Sequence, residues 1–343
     1  MKSSIFTLLA CGALLSACGG HKGAEQSLSP TFACDSAVVN ITIVDYDSTT
    51  QGYMDAIVSY YDDLGEIAPQ KVNDDGTLTL TLQLQGDAQL MLMNASAGDR
   101  YGAVRVAPGE VTDITISGDT ITTTGRFAEL NKTLNTYEPK YAFNIFGANF
   151  FRYDMNGDDY TAAILAEYAD RKAALEGDAG LTDAQRVIER SELVGGLLTL
   201  ATNRTLASRC NYFTLNSDTH DVPMDSLATD MSDDNYKAVL MAIDADDEAL
   251  LMSRDVSSML GNVDWNGLGA KGTLLGMLSL YQKAAKQAYA NKLDPALVAE
   301  LREYSNPFFA DAAENIQAMA QKKFEAAAEM VSETPDVAGE EII

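Results

Sequence analysis

The sequence predicts an α+β protein: an amino-terminal antiparallel β-sandwich or barrel-like domain followed by an all-helical domain. Two observations carry this prediction. Between Ala37 and Gly125 apolar residues recur at every second position, rich in Thr, Val and Ile, with Gly, Asp and Asn between the runs, which is the pattern of half-buried strands joined by turns. Beyond Gly125 the apolar residues recur at intervals of three and four, which is the spacing of a single helix face. The 343 residues are 46% hydrophobic, enough for two domains that each bury a core.

The strands follow in order. In "AVVNITIVDY" Val39, Ile41 and Ile43 share a face, and "MDAIVSYY" repeats the alternation. "NDDG", Asn73 to Gly76, is a turn feeding "GTLTLTLQLQG", where Leu78, Leu80, Leu82 and Leu84 lie opposite Thr79, Thr81 and Gln83. "AQLMLMNA", "YGAVRVAPGE", "TDITISG" and "TITTTG" complete the series, with Pro108-Gly109-Glu110 as a tight turn.

The helices then begin with "RFAELNKTLNTYEP" (126 to 139) and continue with one starting near Asp159 that carries Ile164, Leu165, Tyr168 and Leu175. Thr182-Asp183-Ala184-Gln185 is a capping-box pattern, followed by Val187, Val194, Leu198 and Ala201 on one face. Leu274, Leu278, Tyr281, Ala285 and Ala288 mark a longer helix. Asp294-Pro295 and Asn306-Pro307 each pair a cap residue with proline at the first helical position. The last helix runs from Pro307 to about Val331, with Phe308, Ile316, Met319 and Phe324 among alanines. The helices are unequal and no fixed period repeats, which argues against a solenoid.

The first twenty residues carry the clearest functional signal. Lys2 precedes a short apolar run, Ile5 to Leu15, and "LSAC" places small residues before Cys18, which two glycines follow. The apolar run is too short to span a bilayer. This segment resembles the bacterial lipobox. The resemblance implies cleavage before Cys18, with diacylglycerol on its sulfur and a further acyl chain on its new amino group. Several acyl chains, at about 0.8 kcal/mol per buried CH2, make an anchor that hardly exchanges with water. The small, polar "GGHKGAEQSLSP" that follows reads as a flexible tether. The predicted division is therefore 1–17 lipoprotein signal peptide, 18–33 lipidated tether, 34–125 β domain, 126–331 helical domain and 332–343 connector to an absent domain. No acidic run follows Cys18 closely, which favours a periplasm-facing location in the cell envelope over surface display.

Charge and residue chemistry exclude several functions. Fifty acidic against 24 basic residues give a net charge of −26, a field that repels phosphate backbones, so no nucleic acid is expected as a partner. The acidic pairs, such as Asp62-Asp63 and Asp246-Asp247, read as turns and helix starts. Cys11 is removed and Cys18 carries lipid, leaving Cys34 and Cys210 with no C-x-x-C. Two unpaired cysteines are the expected state, and a Cys34–Cys210 disulfide is the alternative. His21 lies in the tether, and His220 lacks any G-x-S-x-G with which to build a triad. Asp218 and Asp221 beside His220 fall short of a zinc ligand set. "DMNGDD" (154 to 159) starts like a calcium loop, but Asp159 stands where glycine is needed and Leu165 where a bidentate carboxylate belongs. A turn capping the next helix is expected instead. Trp265 alone gives little support to a glycosidase subsite, and Gly195-Gly196 and "GLGAKGT" (267 to 273) lack the context of phosphate loops. No catalytic, metal or cofactor residue is assigned, and no cofactor is expected.

A lipobox, a β domain ending in "VAPGE" (106 to 110), the junction "GRFAELNKTLN" (125 to 135) and a helical region closing with "NPFFADAAENI" together resemble the amino-terminal part of TlpA-like thiol-disulfide oxidoreductases, envelope lipoproteins of Gram-negative bacteria. In that family a segment similar to "TPDVAGEEII" leads into a thioredoxin fold with a W-C-x-x-C motif, which this sequence lacks. The resemblance implies a membrane-tethered accessory region, not itself an enzyme. Its partners would be the membrane, through the lipid anchor, and a thioredoxin-fold domain or envelope thiol proteins. The alternative is a free-standing periplasmic binding lipoprotein for sugar or peptide.

Overall fold

A computed structural model describes residues 28–30, 32–59, 61, 65–143, 155–204, 208, 212, 231–252, 259–304 and 306–333, and the backbone alone for Glu66 and 326–333. The architecture is α+β. Eight strands form the first part: β1 Cys34–Ile43, β2 Tyr53–Ser59, β3 Glu66–Lys71, β4 Thr77–Gln85, β5 Ala88–Asn94, β6 Arg100–Val106, β7 Val111–Ser117 and β8 Thr120–Thr123. They make two four-stranded sheets, ordered β4-β1-β7-β8 and β3-β2-β5-β6. All pairings are antiparallel except β1 with β7. The two sheets pack as a sandwich and are not closed into a barrel, so the barrel-like alternative falls away.

The alternation read from the sequence explains this core. Val39, Ile41 and Ile43 of β1 and the four leucines of β4 point inward, where they meet Met54, Val58, Leu90 and Val104 of the second sheet in one apolar cluster. Each such side chain contributes about 1.5–3 kcal/mol by leaving water. Strand β3 escaped the sequence reading for a physical reason. It carries Pro69 and a charge at each end, as suits an edge strand that must not recruit a further one.

The helical part comprises α1 Ala128–Thr136, α2 Gly157–Gly177, α3 Asp183–Thr202, α4 Asp233–Ala242, α5 Leu274–Tyr289, α6 Pro295–Leu301 and α7 Phe308–Glu333. The caps read from sequence are present: Thr182 and Gln185 form the capping box of α3, and Asp294 caps α6 ahead of Pro295. Asn306 accepts a hydrogen bond from the Phe308 N–H at 3.0 Å. A 3-10 turn at Glu248–Met252, a π turn at Asn266–Ala270 and the short α4 lack the length of periodic pattern by which the sequence reveals the others. The helical core is built on Trp265, Tyr160, Tyr281 and Phe309, all buried. Among the described residues no helix is long and apolar enough to cross a membrane.

Helix α7 corrects one expectation. Ile316 is buried, but Met319 and Phe324 are 48% and 55% exposed. Burial stops at Ala320, and Gln321 to Glu325 are all exposed.

Candidate functional site

The site that merits chemical attention lies where the second sheet meets the helices. Strand β6 is the last strand of that sheet, so its outer edge presents backbone groups that need partners. Helix α1 supplies them with two asparagines one turn apart. Asn135 accepts from the Ala103 N–H at 2.9 Å and donates to its carbonyl at 2.7 Å. Asn131 accepts from the Arg105 N–H at 2.7 Å and donates to its carbonyl at 3.1 Å. Each carboxamide thus mimics a peptide group of a neighbouring strand. Gly102 permits the approach, because a Cβ there would run into the Asn135 carboxamide.

Charges are buried at the same junction. Arg105, 3% exposed, donates to the Tyr61 hydroxyl at 3.2 Å and to the Leu251 carbonyl at 2.8 Å, so a strand residue is bonded to the helical part. Burial pushes the Tyr61 hydroxyl up to about 12, against the opposing pull of the Arg105 charge. Asp87, 2% exposed, accepts from one amino group of Arg126 with both carboxylate oxygens, at 2.8 and 3.0 Å, and Glu110 lies 3.2 Å from the same guanidinium. Below α1, fully buried Glu189 accepts from the Tyr137 hydroxyl and from the Lys140 and Tyr141 N–H groups at 2.7 and 3.0 Å. Partial burial, then this bond to Glu189, raises the pKa of Tyr137.

Between these walls is a cleft of about 260 Å³. Gln89, Arg100 and Ala103 line it from the sheet, Leu134 and Tyr137 from α1 and the residue after it, and Ile188, Ser191 and Glu192 from α3, with Pro139 and Met252 closing it. Ser191 is 3% exposed and its hydroxyl has no hydrogen-bond partner. A helical serine often bonds back to the carbonyl four residues earlier, and this one does not. Gln89, 5% exposed, shares the cleft, while Arg100 stands exposed at its mouth. A wider depression of about 650 Å³ is lined by Lys271, Lys283 and Lys286 with Asp264 and Glu300. Lys271 there is 3.4 Å from Glu300, and among its described lining residues no buried side-chain polar atom lacks a partner.

Cys18, Cys210, His21, His220 with Asp218 and Asp221, and the stretch 334–343 fall outside the described residues. Cys34 is an exposed free cysteine. Desolvation raises its thiol pKa against the bond to Asn315, and Asp311 adds to the rise, the reverse of what an attacking thiolate needs. In the calcium-like stretch Asn156 caps α2 by accepting from the Asp159 N–H at 2.8 Å, as expected of a helix-starting turn. Among the described residues no three His, Cys, Asp or Glu side chains gather to hold a metal. Trp265 is buried and bonds the Leu260 carbonyl at 2.9 Å. Phe143 packs against Gly196 on α3.

The residues of the junction and the cleft were missed, although signals existed. Arg105 interrupts an apolar strand, and Ser191 takes a place on the Ile188, Ser191, Gly195, Leu198 face where an apolar residue is expected. No protein-family model matches the chain, and no curated protein matches it either.

Proposed function

We propose that this chain is the membrane-tethered accessory region of an envelope thiol-disulfide oxidoreductase, positioning a thioredoxin-fold domain or recognising its clients. Helix α7 is the observation that carries this reading. Phe32, near the end of the tether, packs on Phe308 and Phe309 with ring centroids 5.5 Å away in each case, and Cys34 bonds Asn315. Chain arriving from a lipidated Cys18 is therefore held at the near end of α7. Beyond Ala320 the side chains of 321–325 are exposed, and the helix continues to Glu333, roughly 20 Å further at about 1.5 Å per residue. A domain following it would stand clear of both the body and the tether, in reach of large substrates.

The lipobox at Cys18 and the order of motifs shared with TlpA-like proteins support the same reading. Redox chemistry then belongs to the following domain, because Cys34 has a raised pKa and no C-x-x-C exists. Sequencing the gene past the codon for Ile343 is the direct test. An in-frame thioredoxin fold with W-C-x-x-C supports the proposal; a stop codon overturns it. Residues 19–343 should reduce insulin with dithiothreitol no faster than the no-protein control, and a rate abolished by Cys34→Ser or Cys210→Ser would contradict the non-enzymatic role.

The cleft favours a second reading, a binding lipoprotein for sugar or peptide. A buried hydroxyl without a partner, in a cleft that the buried Gln89 also lines, is costly in an empty site and useful in an occupied one.

A further inference from the structure

We infer that the cleft between the second sheet and α3 binds one neutral pyranose sugar, with Ser191, Gln89 and Arg100 as its polar contacts. This rests on the second reading above and gives that site its ligand class. Four features of the cleft select the ligand.

Its inner polar groups, the Ser191 hydroxyl and the Gln89 amide, are uncharged and can each donate and accept. The buried end of the ligand is therefore neutral and bears hydroxyl or amide groups, since a charge there would be desolvated without a counter-charge. Glu189, a buried carboxylate two residues before Ser191 on α3, already holds three donors, and its charge disfavours an anionic ligand.

The lining includes one cation and one anion, Arg100 and Glu192, which sum to no net charge. All three end in planar groups, arginine with two parallel donors, glutamate with two acceptors and glutamine with one donor and one acceptor, a geometry that fits adjacent ring hydroxyls. The Tyr137 ring with Leu134, Ile188 and Met252 gives an apolar wall for the C–H face of the same ring. At about 260 Å³ the space falls just below the ~300 Å³ at which pockets for drug-sized ligands begin. One ring fits and a nucleotide does not.

The Ser191 hydroxyl makes the inference testable in two directions at once. Ser191→Ala removes a buried group that has no partner in the free protein, so the variant should melt higher than wild type while binding sugar about three- to tenfold more weakly. Arg100→Ala, at an exposed position that leaves folding untouched, should weaken binding about tenfold without moving the melting temperature.

The experiment is saturation-transfer NMR and calorimetry on the full lipidated chain in a zwitterionic detergent free of sugar. The probes are glucose, galactose, mannose and N-acetylglucosamine, with trialanine as the peptide comparison. Binding of at least one sugar, weakened in both variants, supports the inference. Trialanine binding that both variants weaken, with no sugar bound, overturns the sugar class and leaves the binding-lipoprotein reading standing. Sugar binding that neither variant weakens removes the site from this cleft. No binding by any probe, together with Ser191→Ala melting lower than wild type, overturns the inference and that reading together.

Discussion

Replacing Asn131 by alanine should be among the most damaging single changes in this protein, although it removes only a small polar side chain. Asn131 is 1% exposed and is the partner of both backbone groups of Arg105, with a further bond from its amide to Thr123 Oγ1 at 3.2 Å. Without it the Arg105 N–H and C=O lie buried and unpaired, at about 1–3 kcal/mol each. Allowing for some relaxation, the expected loss is about 3 kcal/mol, a large share of the ~5–15 kcal/mol that a folded protein commands.

Asn135→Ala removes the same kind of pair from Ala103, but Asn135 is only half-buried, so water replaces it and about 1 kcal/mol is lost. Asn131→Asp keeps the acceptor for the Arg105 N–H and turns a carboxylate oxygen towards the Arg105 carbonyl, so it should be at least as harmful as alanine. Urea denaturation followed by circular dichroism reads the difference as a midpoint lowered by about 1 M for Asn131→Ala, given a slope near ~3 kcal/mol/M. Hydrogen exchange at the Arg105 amide should accelerate in the same variant. A loss in Asn131→Ala no larger than that in Asn135→Ala would refute the argument that these carboxamides stand in for a strand.

The Tyr61 phenol, held up to about 12 by burial, stays protonated in the folded state after it has ionised in the unfolded chain. Its contribution is therefore intact below pH 10 and lost as pH rises from 10 to 12, about 2–3 kcal/mol in all; a stability profile that is equally steep in Tyr61→Phe would exclude this cause. Mass spectrometry of the mature amino terminus should find acyl chains on Cys18, with Cys18→Ala giving soluble or unprocessed protein, and a terminus at any other residue contradicts the lipobox reading. In α7, amides of 321–325 should exchange faster than those of 312–320, because the exposed turn gains only the Gln321 to Glu325 side-chain bond at 2.8 Å; equal protection across both stretches would mean that the projecting part is covered.

What could be read from the sequence was whatever a local pattern encodes. Leu78 to Leu84 alternate, and a strand with one dry face is the only regular element that buries all four. Thr182 with Gln185 and Asp294 with Pro295 satisfy helix starts within four residues, so their geometry needs no knowledge of the rest of the chain. The cleft is different in kind. Gln89 and Ser191 lie about a hundred residues apart, and what makes Ser191 notable is the absence of a partner, a property of three-dimensional neighbours. Met319 and Phe324 continue the apolar face of α7, and periodicity alone does not say where the body beneath a helix ends.

The buried polar groups at the junction bear directly on whether such a cleft can bind anything. Arg105, Arg126, Asp87 and Glu110 balance in charge, yet taking charges out of water is expensive even when they are paired, and an apolar contact of equal area would hold the two parts together as well. What an apolar contact lacks is direction. Arg105 reaches a single carbonyl, that of Leu251, while Asn131 and Asn135 fix α1 on β6 at two successive pairing positions, and a shift of either by one residue would leave every one of those groups unpaired. The cleft takes Gln89 and Arg100 from one side of this junction and Ser191 from the other. Bonds that allow one register therefore also fix the distance across the cleft, so a ligand entering it meets walls already in place and spends none of its binding energy on closing them.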